Sequence, residues 1–160
     1  MGMKSNGGFF KGTRGNPVAG DANYMSSNDT FLKYIRKRKD VDPDGKFDLI
    51  AHGTSNSIEI EHNGKKILVN SRTVAKLLKQ KKDYKGQDIR LLSCNTGYLN
   101  HGFAQNLANK LNVTVLAPSD YLWVYSNGKH VVAAKTVSGH MDSTRIGKFI
   151  KFVPGGNKNE

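Results

Sequence analysis

Two short stretches of one design constrain this chain more than anything else in it: Phe47-Asp48-Leu49-Ile50-Ala51-His52-Gly53 and Ile89-Arg90-Leu91-Leu92-Ser93-Cys94-Asn95-Thr96-Gly97. Each is a largely apolar run of strand length that stops at one reactive side chain followed by small or turn-forming residues. The first delivers a histidine and the second the only cysteine of the protein. Runs of this kind read as buried strands, and a parallel pair needs a crossover between its members.

The intervening segment supplies one. Ile58-Glu59-Ile60-Glu61 alternates with period two, Asn63-Gly64 signals a type I′ turn, and Lys65–Val69 follows. That hairpin should pair Ile60 with Ile67 and Glu61 with Lys66. Ser71 then offers an N-cap for a helix over 71–82, with Val74, Leu77 and Leu78 as its apolar stripe. A helix over about 101–111 carries Phe103, Ala104, Leu107, Ala108 and Leu111, and leads into a third apolar strand, Val113–Ala117, stopped by Pro118. A second Asn-Gly hairpin joins Tyr121–Tyr125 to His130–Ala134, with His130 facing Tyr125. Residues 135–147 read as a loop and Lys148–Val153 as a last strand.

Upstream, residues 1–25 are Gly-, Asn- and Ser-rich and read as a flexible lead-in. Ser26-Ser27-Asn28 offers an N-cap for a helix running to about Arg38, whose outer face carries Lys33, Arg36, Lys37, Arg38 and Lys39. Asp42-Pro43-Asp44-Gly45 is a turn feeding the first strand. The expectation is one α/β domain over 26–156, closed by a polar tail at 157–160. Its architecture is three-layer αβα, with a mainly parallel central sheet and two added β-hairpins. In such sheets chemistry lies beyond the carboxyl ends of the strands, where His52 and Cys94 stand.

One cysteine excludes an internal disulfide and any multi-cysteine metal site, and the histidines lack metal spacing. No cofactor or metal is expected, and no run reaches the length of a membrane span. Lysine and arginine exceed the acids by 25 − 13 = 12. Nucleic acid, another polyanion and an acidic protein partner all fit that imbalance.

A thiolate needs a base or an electropositive setting, and His52 supplies either. Cys94 is then the nucleophile and His52 the general base and acid. Gly53 leaves room for a substrate carbonyl, its N–H joining that of Cys94 as oxyanion donor. The N–H groups of Asn95, Thr96 and Gly97 are expected to favour the thiolate. Asp120 has two readings, lining the cleft to choose a basic substrate side chain or capping the turn after Pro118; Asn95 is the other candidate substrate contact. Tyr121, Trp123 and Tyr125 read as hairpin packing. His62, His101, His130 and His140 read as surface or packing residues.

Apolar-strand–His-Gly and apolar-strand–Ser-Cys resemble the two signatures of the caspase-like cysteine peptidases, which include caspases, gingipains and the self-cleaving domains of large bacterial toxins. The resemblance implies a caspase-like fold, a Cys94–His52 dyad and an oxyanion role for Gly53. The stretch Leu91–Pro118, with Leu122–Val124 and Phe152–Gly156, is further similar to C-terminal domains of bacterial polymorphic toxins. That similarity implies an effector delivered as part of a larger secreted toxin into a target cytoplasm, a protein substrate and an acidic immunity protein. A polyanion activator bound to the basic helices is a further implication. Two alternatives stand beside this expectation: a basic nuclease toxin, and an inactive binding module on the same scaffold.

Overall fold

The computed structural model describes residues 20–41 and 45–156. The expected lead-in up to residue 19, most of the turn at 42–45 and the tail from 157 lie outside the described residues. The chain forms a mixed α/β structure around a five-stranded sheet. In sheet order its strands are β1 (Asp21–Asn23), β2 (Phe47–Ile50), β5 (Ile89–Leu92), β6 (Val115–Pro118) and β10 (Phe149–Phe152). The first four run parallel and β10 returns antiparallel to β6. β1 was not expected: it belongs to a segment whose composition predicts a lead-in up to residue 25. A three-residue edge strand is too short to show a period.

Two smaller antiparallel sheets stand beside it. β3 (Ile58–His62) and β4 (Lys65–Val69) form a ribbon in the register expected, with Ile60 opposite Ile67 and Glu61 opposite Lys66. Asn63 and Gly64 both take positive φ, 53° and 76°, as a type I′ turn requires. β7 (Tyr121–Val124), β8 (His130–Lys135) and β9 (Met141–Ile146) form a meander. β9 corrects the expectation of a loop over 135–147. Between Met141 and Ile146 its residues are polar, and the strand is mostly exposed, so it shows no apolar alternation to read. His130 faces Val124 rather than Tyr125.

Among the described residues three helices accompany the sheets: α1 (Thr30–Ile35), α2 (Ser71–Lys79) and α3 (Phe103–Leu111). The caps differ from those expected by one residue. Asp29 caps α1 in place of Ser26–Asn28, its carboxylate accepting the Phe31 N–H, and Asn70 caps α2 in place of Ser71. Val74, Ala75, Leu78, Phe103 and Leu107 pack with Leu49, Leu91 and Val115 on one face of the sheet. Leu32 and Ile35 of α1, with Leu122 and Val132 of the meander, cover Ile50 and Leu92 on the other.

The α1 face carries a buried ion network. Asp48, 1% exposed, and Arg90 are register partners in β2 and β5. Arg90 grips Asp48 with two hydrogen bonds, Nε to Oδ1 at 2.9 Å and Nη2 to Oδ2 at 2.8 Å. Arg38 adds a third at 2.8 Å. Asp40 accepts from Arg90 at 2.9 Å and bonds His130 at 2.8 Å, which ties the meander in. Burial alone would lower the Arg90 pKa; the charges of Asp48 and Asp40 outweigh it and raise it above its ordinary value. The His130 hydrogen bond, ahead of Arg90, holds Asp40 well below the usual carboxylate range against the cost of its burial. Arg38, with its side chain 6% exposed, is therefore an internal ligand and not part of the helix's outer basic face.

Removing one member of such a network strands buried charge. Asp48→Ala leaves Arg90 with Asp40 alone and Arg38 with only a 3.4 Å ion pair to Asp21, and should cost about 3–5 kcal/mol in urea unfolding; a loss under ~1 kcal/mol would show that the network contributes little.

Candidate active site

β2 and β5 pair in parallel with Ile50 opposite Leu92, and the Ala51 N–H extends the ladder to the Leu92 carbonyl at 3.3 Å. Two residues further, the chains deliver His52 and Cys94 at matching positions. Side chains alternate along a strand, so Asp48, Ile50 and His52 share one face with Arg90, Leu92 and Cys94. This is the α1 face. The Phe31 ring of α1 lies 6.1 Å from the His52 ring, and Phe31 and Cys94 both pack against the cluster around Ile50 and Leu92.

Gly53 touches the cysteine segment directly. A Cβ there would stand 2.8 Å from the Cys94 carbonyl oxygen, 2.8 Å from Thr96 Cγ2 and 3.1 Å from Ser93 Cβ. The glycine is thus required by strand-end packing. The peptide then folds into β3 through Glu59 N–H to His52 C=O at 2.8 Å and Thr54 N–H to Ser57 C=O at 2.9 Å. Among the described residues, the N–H groups of Gly53 and Cys94 have no backbone acceptor, and that of Cys94 faces its own sulfur.

The residue that sequence reasoning missed is Asp29. One oxygen caps α1 on Phe31 N–H at 2.9 Å, and the other bonds His52 Nε2 at 2.6 Å. Burial works against the charged carboxylate. The His52 hydrogen bond and charge, with the Phe31 and Leu32 N–H groups, outweigh it and lower its pKa. A neutral imidazole donating Nε2–H to Asp29 keeps its Nδ1 lone pair free. His52 is 44% exposed and Asp29 17%, so solvent reaches the ring while the carboxylate is mostly sheltered.

Cys94 has no hydrogen bond to His52 among the described residues. Its Sγ accepts the Leu122 N–H at 3.3 Å and lies 3.7 Å from the Leu122 carbonyl oxygen. Burial pushes the thiol pKa up; the Leu122 N–H, the Lys135 ammonium and its own N–H pull the other way without cancelling it. The resting group at neutral pH is the thiol, which corrects the expectation of a thiolate favoured by neighbouring amides. Two of those amides are spent elsewhere. The Asn95 N–H bonds the Asp120 carbonyl at 2.9 Å and the Gly97 N–H the Pro118 carbonyl at 2.8 Å.

Asn95, at φ 62°, shapes this turn, and Asp120 closes it with its backbone. The Asp120 carboxylate accepts the Ser119 hydroxyl at 2.9 Å beside Gly147. Ser93, buried, bonds Thr96 within the same turn. Trp123 donates to the Ala133 carbonyl at 3.0 Å and stays within the meander. His62 and His101 are exposed, and His140 bonds Ser138 in the β8–β9 turn. Among the described residues, no group of three or more His, Cys, Asp or Glu side chains could hold a metal ion. None of their helices is long and apolar enough to cross a membrane.

Fold and site together define an α/β domain with a histidine and a cysteine at the carboxyl ends of adjacent parallel strands. Residues 20–132 match the model of a domain of unknown function (DUF8616), and the chain belongs to that family. The match runs from one residue before β1 into β8 and so contains Asp29, His52, Gly53 and Cys94. No curated protein and no solved structure matched the chain.

The raised thiol pKa makes a signed prediction. Alkylation of Cys94 by iodoacetamide should be slow at pH 7 and still rising above pH ~9.5, where an ordinary thiol of pKa about 8.5 levels off. Stability held by the protonated thiol is full below the unfolded pKa and lost as pH rises through the folded one. Cys94→Ala should therefore flatten the alkaline end of the stability profile, and a plateau in alkylation below pH 8 would contradict the assignment. For Asp29 the sign is opposite: its contribution is present above the ordinary carboxylate pKa of about 3.9 and lost as pH falls through its lowered value. Imidazole nitrogen NMR should find His52 as the Nε2–H tautomer at pH 7.5; an Nδ1–H tautomer would refute the Asp29 assignment.

Proposed function

We propose that this domain is a cysteine-dependent acyl hydrolase of peptidase type, with Cys94 as nucleophile and His52 as general base and acid. One observation carries the reading: Cys94 and His52 leave adjacent parallel strands at matching register on one face, with Asp29 on the far imidazole nitrogen. Asp29 is a positioning residue, fixing the ring and stabilising the imidazolium formed in the reaction.

The steps follow from a resting thiol. A substrate carbonyl arriving beside Cys94 draws the sulfur from Leu122, and His52 Nδ1 takes the thiol proton as sulfur attacks the carbonyl carbon. The tetrahedral oxyanion accepts from the Gly53 N–H and, once the sulfur has moved onto the substrate, from the Cys94 N–H, each such donor being worth roughly 10²–10³ in rate. His52 returns the proton to the leaving amine, and the carbon–nitrogen bond breaks to leave a thioester on Cys94. Water, deprotonated by the same nitrogen, releases the acid and restores the thiol.

On this reading the sheet, with α2 and α3 on one face and α1 and the meander on the other, is a caspase-like three-layer arrangement. The setting is a bacterial toxin effector acting on protein in the cytoplasm of a target cell, held in check by an acidic inhibitor. A polyanion activator on the exposed basic residues is part of the same proposal.

A second reading has its own observation. A partly buried, protonated thiol hydrogen-bonded to Leu122 and unlinked to His52 suits an inactive binding module on this scaffold. Expression of the wild type, Cys94→Ala and His52→Ala in cells, followed by proteome-wide cleavage profiling, separates the two. The hydrolase predicts cleavage products that vanish in both variants, with circular dichroism unchanged. Equal cleavage by a folded Cys94→Ala protein, or none by the wild type, would overturn it.

A further inference from the structure

We propose that the open edge of β4, together with the basic face of α2 that follows it, docks an acidic protein segment by taking it up as an added strand. The β3–β4 ribbon is a sheet of two strands, and among the described residues the backbone of β4 bonds only to β3. The two-residue turn makes His62 and Lys65 the closing pair. Antiparallel alternation then places the bonded pairs at His62–Lys65, Ile60–Ile67 and Ile58–Val69. The N–H and C=O groups of Lys66 and Leu68 point away from β3. The opposite edge of the ribbon is taken, since Glu59 donates to the His52 carbonyl at 2.8 Å.

Side chains along this edge suit a partner. Leu68 is 64% and Ile67 43% exposed, large apolar groups left open to solvent on this strand. Lys65, Lys66, Arg72, Lys76 and Lys79 are exposed on β4 and on α2, which begins one residue beyond Val69 at the Asn70 cap. Against these five cations residues 58–79 hold two acids, Glu59 and Glu61. The nearest ion pair along the chain is Lys81–Asp83 at 3.8 Å, outside the surface.

Backbone hydrogen bonds, aliphatic anchors and a surplus of cations describe strand addition by an acidic chain. They do not describe a nucleic-acid platform: residues 58–79 contain no Phe, Tyr or Trp on which bases could stack. A second copy of this chain would bring the same charge against itself.

The inference is independent of the hydrolase reading, and its test is chosen accordingly. The full chain is titrated by fluorescence anisotropy against a labelled peptide of about ten residues alternating Glu and Val, its Lys–Val counterpart and a single-stranded RNA. The acidic peptide should bind saturably, weaken with salt, and exceed the Lys–Val peptide by at least about ten-fold. Leu68→Pro removes one outward N–H at a position not bonded to β3, and should weaken binding up to about ten-fold with an unchanged circular dichroism spectrum. Lys66→Glu should weaken it without touching the backbone, and Cys94→Ala should bind like the wild type. Absence of binding by the acidic peptide, indifference to both β4 variants, or preferential binding of RNA would overturn the proposal.

Discussion

The Asp48–Arg90 pair is the interaction on which the rest of the structure depends. It joins the two central strands through two hydrogen bonds in a site from which water is nearly excluded. An ion pair so buried contributes little net stability over an apolar pair, but it penalises any other pairing of the strands severely. Sliding β2 by one residue against β5 would turn both charges away from each other, and every apolar residue of β2 would change faces. Arg38 and Asp40 extend the constraint to α1 and its C-terminal end, and His130 extends it to the meander.

That register decides what stands at the strand ends. Four residues beyond Asp48 is His52, and four beyond Arg90 is Cys94, so the charges that fix pairing at one end of the sheet match the reactive groups at the other. α1 is held at both of its ends. Arg38, just past its C-terminus, is bound to Asp48, and the cap Asp29 is bound to His52. The helix therefore spans the distance between the ion network and the candidate site. A change in the network would be felt at His52 through a short, packed element and not only through the sheet.

Much of this was legible in the residues. The two apolar runs, the period-two ribbon and its Asn-Gly turn gave the central strands, the hairpin register and the strand-end positions of His52 and Cys94. The opposite charges at the second position of each run, Asp48 and Arg90, were also visible; only the parallel register makes them a pair. What was not legible depends on long-range contact. β9 has no apolar period because its sheet buries little of it. Asp29 looks like any polar residue before a helix, and its role appears only when β2 brings His52 to the cap. The fate of the amides after Cys94 is set by Asp120 and Pro118, some 20 residues on. Arg38 belongs by sequence to a basic helix face and by structure to the interior.

The central claim is that acyl chemistry passes through Cys94. Its most direct test is covalent trapping: protein incubated with extract from a candidate target cell, quenched in acid and digested, with the Cys94 peptide analysed by mass spectrometry. The mechanism predicts an acyl adduct on Cys94 that hydroxylamine removes and that is missing when His52 is replaced by alanine. Turnover of protein in the extract with Cys94 unmodified throughout, and undiminished after the thiol has been alkylated, would contradict it.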